Sequence, residues 1–344
     1  MTRTLAVRLD SLGDVLVTGP ALRALAAGSD HLALLCGPRG RAAAELLPGV
    51  DDLLCWRAPW IDPEPDPVAR DDVEDLVALV AAGRYDRAVV FTSFHQSALP
   101  TALLLRMAGV PWVGAISEDY PGSLLDVRHR FDADVPEPER ALSLARACGF
   151  ELPPGDPGAL AVRTVVAEPS PVPYVVLHPG TSVPARAWPA EHYREACRLL
   201  TERGTTVVVT GGPDERDLTA LVAGGGGIDR GGGTDLGELA GLLAGARAVV
   251  VGNTGPAHLA AAVGVPVVSL FAPTVPVERW APYTDRRVVL GDRDAPCRGT
   301  RATTCPVPGH PCLSSVTPAQ VVAAVTELGG LAAPAPSATL RRIP

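Results

Sequence analysis

The sequence predicts an α/β protein built as two similar, Rossmann-like doubly wound domains facing each other across a cleft. Short apolar runs of strand length alternate with amphipathic runs of helical length along nearly the whole chain. Such alternation implies right-handed βαβ units and parallel sheets. The apolar runs are continuous in Val, Leu and Ala, as expected of strands buried on both faces. A single proline-rich break, ELPPGDPGALAVRTVVAEPSPVP between Phe150 and Tyr174, divides the chain almost in half. It reads as an interdomain linker with room for one short strand. A length of 344 residues, at roughly 150 per domain, gives the same count. The boundaries expected are 1–165 for the first domain, 166–330 for the second and 331–344 for a loose Pro/Ala-rich tail.

The elements follow in order. TLAVRL, HLALLC and DRAVVF are strand candidates in the first half; PYVVLH, TTVVVT, ARAVVVG and PVVSLF take that part in the second. Helical spacing appears in DVLVTGPALRALAAG, PAEHYREACRLLTERG and TGPAHLAAAVG. The runs Gly224–Gly227 and Gly231–Gly233 read as a flexible loop around a short edge strand. They lack the GK[ST] ending of a P-loop, and no GxGxxG follows the first strand, so a dinucleotide site has no support.

Composition removes whole classes of chemistry. The chain contains no lysine: its 30 basic side chains are all arginine, against 38 acidic ones, for a net charge of -8. A Schiff-base enzyme, a lysine-anchored pyridoxal-phosphate enzyme and a P-loop kinase are therefore excluded. Low lysine with abundant Gly, Pro and Ala is also what a GC-rich genome produces. An acidic chain without a basic stripe does not suit nucleic acid as a partner. The N-terminus starts on a strand-like segment with no secretory pattern. The most apolar helical stretch, SALPTALLLRMAGV, is too short for a membrane span and carries Arg106. The expectation is a cytoplasmic monomer without a transmembrane segment, with peripheral membrane contact left open. Seven cysteines at irregular spacing argue against a disulfide framework.

Four constellations could carry chemistry. The first strand ends in Arg8-Leu9-Asp10-Ser11-Leu12-Gly13-Asp14, where an acid at a strand-to-helix turn would point into the cleft. Helix capping by Asp10 or Ser11, with Asp14 favoured by the helix dipole, explains the same residues and outweighs the catalytic reading on spacing alone. After PYVVLH comes His178-Pro179-Gly180-Thr181-Ser182-Val183-Pro184-Ala185-Arg186-Ala187-Trp188-Pro189. Its hydroxyls, backbone N–H groups and the Arg186 fork suit phosphate oxygens; an ordinary proline-rich loop suits the pattern as well. The third, Gly252-Asn253-Thr254-Gly255-Pro256-Ala257-His258, is a strand-to-helix turn whose helix start would offer free N–H groups to an anion. The fourth, Gly211-Gly212-Pro213-Asp214-Glu215, places an acid where ribose hydroxyls could be accepted, or where it would merely cap a helix.

In this order, the four pieces resemble glycosyltransferase family 9, the heptosyltransferase-like enzymes of the GT-B fold. The first is similar to the family's S-x-G-D-x-L, the second to HPG…(K/R)-x-WP, the third to (D/N)-(S/T)-G-x-x-H-L-A-A-A. VSLFAPTVPVERWAPY resembles the F-G-x-T-x-P…W-x-P-Y run that follows. The likeness extends from RLDSLGDVL to the helix near Val316–Leu328. It implies an inverting, metal-independent transfer from a nucleotide-diphospho-sugar, ADP-heptose above all, to a glycan or small-molecule acceptor. The first domain would hold the acceptor and the second the donor. By the resemblance, Asp14 is the general base, which reverses the preference for a mere cap. Thr181, Ser182 and Arg186 match donor-phosphate contacts, Glu215 a nucleotide-ribose contact, and Asn253, Thr254, Gly255 and His258 the turn that grips the diphosphate. The nucleotide sugar is a co-substrate, and no cofactor or metal is expected.

Two positions depart from the family pattern: Asn253 where many relatives carry Asp, and Arg186 where the best-known heptosyltransferases carry Lys. On the acceptor side, Ser11 and Gly13 lie beside Asp14, and Trp56, Trp60, His95 and Gln96 fall in loops after first-domain strands; for the tryptophans, core packing is an equal explanation. Cys297, Cys305 and Cys312 with His310 are spaced too widely for an ordinary zinc site and read as free thiols, with a disulfide as second choice. A nucleotide-sugar epimerase of the same fold, or a non-catalytic nucleotide-sugar-binding protein, remains the alternative function.

Overall fold

The computed structural model describes residues 1–331 except 132, 164, 168 and 169; of the expected tail, 332–344 lie outside the described residues. The first half contains β1 (Arg3–Arg8), α1 (Leu12–Val17), α2 (Gly19–Ala27), β2 (His31–Cys36), α3 (Arg41–Leu46), β3 (Asp52–Cys55), α4 (Arg70–Gly83), β4 (Arg87–Val90), α5 (Leu99–Met107), β5 (Val113–Ile116), β6 (Val127–His129) and α6 (Glu137–Ala147). The second contains β7 (Tyr174–His178), α7 (Ala190–Glu202), β8 (Thr206–Val209), α8 (Arg216–Ala223), β9 (Ile228–Asp229), α9 (Leu236–Gly245), β10 (Ala248–Gly252), α10 (Gly255–Ala262), β11 (Val267–Leu270), α11 (Val277–Trp280), β12 (Arg287–Leu290), α12 (Pro311–Ser314) and α13 (Pro318–Glu327).

Each half folds into a six-stranded parallel sheet, in the orders β3-β2-β1-β4-β5-β6 and β12-β11-β10-β7-β8-β9. Counted within its own half, each sheet runs third, second, first, fourth, fifth, sixth. The order therefore reverses between β1 and β4 in one domain and between β7 and β10 in the other. Ligands of doubly wound sheets bind beyond the carboxyl ends of the strands at that reversal. Leu5–Val7 and Val175–Leu177 are fully buried in the two central strands, which is why those strands read as unbroken apolar runs.

The two domains share apolar surface. One cluster runs from Leu16, Leu22 and Leu142 to Leu239, Leu243 and Leu259 of the second domain. Within it, α1 and α10 pack against each other.

Three sequence expectations change. The helix expected over DVLVTGPALRALAAG is two helices: Thr18 donates its hydroxyl to the Asp14 carbonyl at 2.8 Å, and Pro20 opens α2. The linker holds no strand among its described residues. It is pinned instead by Arg163, whose guanidinium donates to the Leu47 and Val50 carbonyls at 3.0 and 2.7 Å, and by an Arg23–Asp156 ion pair at 2.6 Å. The strands β3, β5, β6 and β12 went unread because DLLC, VGAI, VRH and RVVL are too short to show a period.

Candidate functional site

The loops after β1 and β4 build one wall of the interdomain cleft. Ser11 N-caps α1, and Asp14 sits at the third helical position. Its Oδ2 accepts from the Ser11 hydroxyl at 2.8 Å and from the Ser11 N–H at 3.3 Å. Its Oδ1 accepts from Arg8 Nη2 at 2.9 Å and the Ser93 hydroxyl at 3.2 Å. Capping and chemistry are thus not alternatives here: the capping geometry aims and anchors the carboxylate. Arg8, 2% exposed, also pairs with Asp10 at 3.0 Å. Asp10 accepts from Gln96 Nε2 at 2.5 Å, and Gln96 Oε1 accepts from the Ser93 N–H at 2.9 Å. The network therefore closes on itself across the reversal point of the first sheet.

One arginine serves two carboxylates, and their acidities separate. Burial pushes Asp10 up to about 6, helped by the Asp14 charge and opposed by Arg8 and Gln96. Burial acts in the same direction on Asp14, but Arg8 and the hydrogen bonds from Ser11, Arg8 and Ser93 outweigh it and hold this carboxyl below its ordinary range. Asp14 is therefore ionised at neutral pH, which a proton acceptor requires. Deeper in, Glu137 is buried and raised by that burial; it pairs with Arg140 at 3.4 Å, and Arg140 donates to the Thr92 carbonyl at 2.7 Å.

The second domain supplies the opposite wall. Thr254 N-caps α10 with extended backbone and makes no side-chain cap bond; Pro256 brings no N–H, and the Ala257 N–H donates to the Thr254 carbonyl at 3.0 Å. Arg186 donates to the Asn253 carbonyl at 3.4 Å, and its Nε is buried without a partner. Asn253 accepts the Ala272 N–H on Oδ1 at 3.3 Å, leaving Nδ2 buried and unpartnered. His258 is 5% exposed, its Nδ1 has no partner, and burial lowers it to about 4, with Asp14 opposing and Arg186 assisting. It is a neutral imidazole at physiological pH. Unclaimed donors from Arg186, Asn253 and His258 therefore gather around the start of α10, the arrangement an anion needs.

The cleft between the walls encloses about 360 Å³ and is lined by Asp10, Ser11, Asp14, His95, Gln96, Ser182, Arg186, Trp280 and Arg301, among others. A second cavity of similar size lies beyond β7 and β8, between His178, Gly211–Glu215, Thr234–Leu236 and Pro256. Glu215 accepts the Gly212 N–H at 2.8 Å, and its carboxylate lies against Gly180 so closely that a Cβ there would collide with it. Thr181 turns its hydroxyl to the Val183 N–H at 3.2 Å and shapes the loop carrying Arg186.

The structure thus brings Ser11, Asp14, His95, Gln96, Ser182 and Arg186 to one cleft. It does not bring Trp56 or Trp60 there. Trp56 is 8% exposed and donates to Asp72 at 3.1 Å; Trp60 donates to Thr101 at 3.3 Å; their rings meet at 5.3 Å inside the first domain's apolar cluster. Trp56 belongs to the core and Trp60 is partly buried against it; the loop after β3 borders the cleft through Arg57, Ala58, Ile61, Asp62 and Pro63, but these two rings are held by Asp72 and Thr101 on α4 and α5. Gly13 faces the domain contact rather than open cleft. Sequence reasoning missed Arg8, Ser93, Glu137, Arg140 and Arg301. The signal for Ser93 was its place two residues after the strand DRAVVF, at the reversal point; Arg8 was hidden because a strand-end arginine looks like a solvent anchor. All seven cysteines are free, Cys297 and Cys312 are buried, and His310 meets the Ala185 carbonyl at 3.1 Å. Among the described residues no group of three or more His, Cys, Asp and Glu is placed to hold a metal ion, and no helix is long and apolar enough to cross a membrane.

Known proteins resemble this chain in sequence and in fold. Lipopolysaccharide heptosyltransferase 1 of Pseudomonas aeruginosa is 34% identical over 222 residues, a match spanning 61% of this chain and 61% of that relative. The chain thus spans about three-fifths of the length of that curated relative. Among solved structures, the family 9 glycosyl transferase of Veillonella parvula superposes with a TM-score of 0.75 at 20% identity, over 95% of this chain and 97% of that one. The Escherichia coli heptosyltransferase WaaC with ADP-2-deoxy-2-fluoro heptose superposes with a TM-score of 0.71 at 22% identity, over 95% and 99%. These likenesses identify the fold as GT-B. The model of the family described as glycosyltransferase family 9 (heptosyltransferase) matches residues 75–310. More than half of the chain lies within that match, and the protein belongs to glycosyltransferase family 9.

Proposed function

We propose that the protein is an inverting glycosyltransferase that moves a heptose or related sugar from a nucleotide-diphospho-sugar to a hydroxyl of a glycan or small-molecule acceptor, without a metal ion. ADP-heptose is the donor favoured by the ADP-2-deoxy-2-fluoro heptose bound to the WaaC neighbour. Residues 1–165 hold the acceptor and 166–330 the donor, in a cytoplasmic monomer. The observation that carries the reading is a single cleft with an anchored, ionised Asp14 on one wall and, on the other, Arg186 with the unpartnered Asn253 and His258 nitrogens at the start of α10.

Asp14 takes the proton from the acceptor hydroxyl as that oxygen forms its bond to the anomeric carbon. The anomeric carbon–phosphate oxygen bond breaks on the opposite face, and the nucleoside diphosphate leaves with the electron pair. Arg186, the Asn253 amide, neutral His258 and the α10 N–H groups meet the growing charge. Glu215 accepts hydrogen bonds from the ribose, and Thr181 and Ser182 line the phosphates. Attack and departure on opposite faces invert the anomeric centre.

Asp14→Asn tests this directly. The variant keeps its cap geometry, retains ADP binding in a thermal-shift assay and loses transfer by about 10²–10⁴-fold, the range of general-base catalysis. Full activity in that variant would remove the base assignment. A thermal-shift screen with ADP, UDP and GDP ranks the donor bases, and turnover in EDTA checks the metal-independent step.

A further inference from the structure

We propose that Arg301 is a second phosphate-binding residue of the donor site, acting beside Arg186 on the diphosphate; this rests on the donor reading above. Arg301 lines the same cleft as Ser182, Arg186 and Asp14. Among the described residues neither Arg301 nor Arg186 forms an ion pair with a carboxylate, whereas Arg8 in the same cleft pairs with both Asp10 and Asp14. Two unneutralised guanidinium groups lining one cavity repel each other. An anion between them reverses the sign of that interaction, and a forked donor suits phosphate oxygens in particular.

The backbone around Arg301 ties it to the donor side rather than to the opposite wall. Residues 291–310 join β12 to α12 and clasp the Arg186 turn: the Ala185 N–H donates to the Thr303 carbonyl at 2.9 Å, and His310 meets the Ala185 carbonyl at 3.1 Å. The Gly299 and Arg301 N–H groups donate to the Pro273 and Thr274 carbonyls, each at 2.8 Å, fixing the segment to the loop after β11. Arg301 itself has φ +57°, a left-handed conformation unfavourable for a residue with a Cβ. These bonds hold the strained residue in place. Its guanidinium rests over the Phe94 ring at 5.8 Å, a contact that leaves its N–H edges free for an acceptor. Its positive field also contributes, after burial, to lowering His95 to about 4, so the imidazole beside it is neutral and adds no competing charge.

Calorimetric titration of wild type, Arg301→Gln and Arg301→Lys with ADP, and with adenosine as the control, tests the assignment. Arg301→Gln is expected to weaken ADP about tenfold, the loss of one hydrogen bond to a charged group, while adenosine stays within about twofold. Arg301→Lys recovers part of the loss, which a merely structural role would not produce. Arg301 is exposed, so the variants fold, and a thermal melt verifies it. ADP binding by Arg301→Gln at wild-type strength overturns the assignment and leaves the donor reading standing. A wild-type protein that binds ADP no more tightly than adenosine overturns the donor reading, and Arg301's part falls with it.

Discussion

Gly13 of α1 and Gly255 of α10 meet backbone to backbone across the two domains. A Cβ built on Gly13 would stand 3.3 Å from the Gly255 Cα and 3.1 Å from the His258 ring, and one built on Gly255 would stand 2.5 Å from Leu12 Cδ2. A side chain at either position would force its neighbours to shift. Asp14 follows Gly13 directly, and the α10 turn starts at Gly255. On the proposed reading, this contact sets the spacing between the proton acceptor Asp14 and the diphosphate turn at α10.

Gly13→Ala should separate the helices by a few tenths of an ångström, because His258 and the Gly255 backbone must give way. Misplacement on that scale penalises a reaction that depends on alignment. The expected result is a fall in kcat of about tenfold with ADP affinity nearly unchanged, since donor contacts remain within one domain. Steady-state kinetics alongside ADP titration separate the two. Equal losses in both would mean that α10 itself is disturbed and that the glycine contact does not set the spacing.

Asp10 and Asp14 share Arg8, and this makes the pH dependence specific. Asp10 is raised to about 6 and Asp14 is lowered. Below about 6, Asp10 is protonated and Arg8 is left to Asp14, which becomes a weaker base. Above it, ionised Asp10 draws on the same guanidinium and Asp14 becomes more basic. Activity should therefore rise through an apparent pKa near 6, a property of the coupled pair. In Asp10→Asn that limb should vanish, leaving one below the ordinary carboxylate range. Stability follows the opposite sign. A carboxyl raised on folding binds protons more tightly in the native state, so its contribution is greatest at low pH and is lost as pH rises toward 6. Urea melts of the two proteins across pH 4–8 should show a shallower decline for Asp10→Asn. An unchanged acid limb in Asp10→Asn would show that Asp10 does not govern it.

How much of this was visible in the sequence depends on what each residue answers to. Long Val-rich strands and the turns after β1, β7 and β10 were legible because their signals are local: an apolar run, then a glycine, then a helix start. Asp14, Arg186, Asn253 and His258 could be named from such turns. Arg8 could not, because its meaning depends on Ser93 and Gln96, some eighty residues away, at the neighbouring strand end. The loop bearing Arg301 was equally opaque. Its cysteines drew attention, while the arginine matters only through the clasp on Ala185. Trp56 and Trp60 failed in the opposite way: an aromatic in a loop suggests a sugar platform, and only the positions of Asp72 on α4 and Thr101 on α5 show that these rings pack against helices while their loop neighbours line the cleft.

The tryptophans allow a direct check of that correction. Trp56→Ala removes a ring that is 8% exposed, packed on Trp60 and bonded to Asp72. Removing a buried aromatic of this size costs about 3–5 kcal/mol of stability. Trp60→Phe keeps most of the ring and gives up the bond to Thr101, for roughly 1 kcal/mol. Neither residue borders the cleft, so acceptor KM should hold in Trp60→Phe and, at a temperature where it remains folded, in Trp56→Ala. Urea denaturation gives the stability term and saturation kinetics gives KM. A several-fold rise in acceptor KM in Trp60→Phe, with stability nearly intact, would return these residues to the acceptor site, since packing alone gives no reason for binding to weaken when the fold does not.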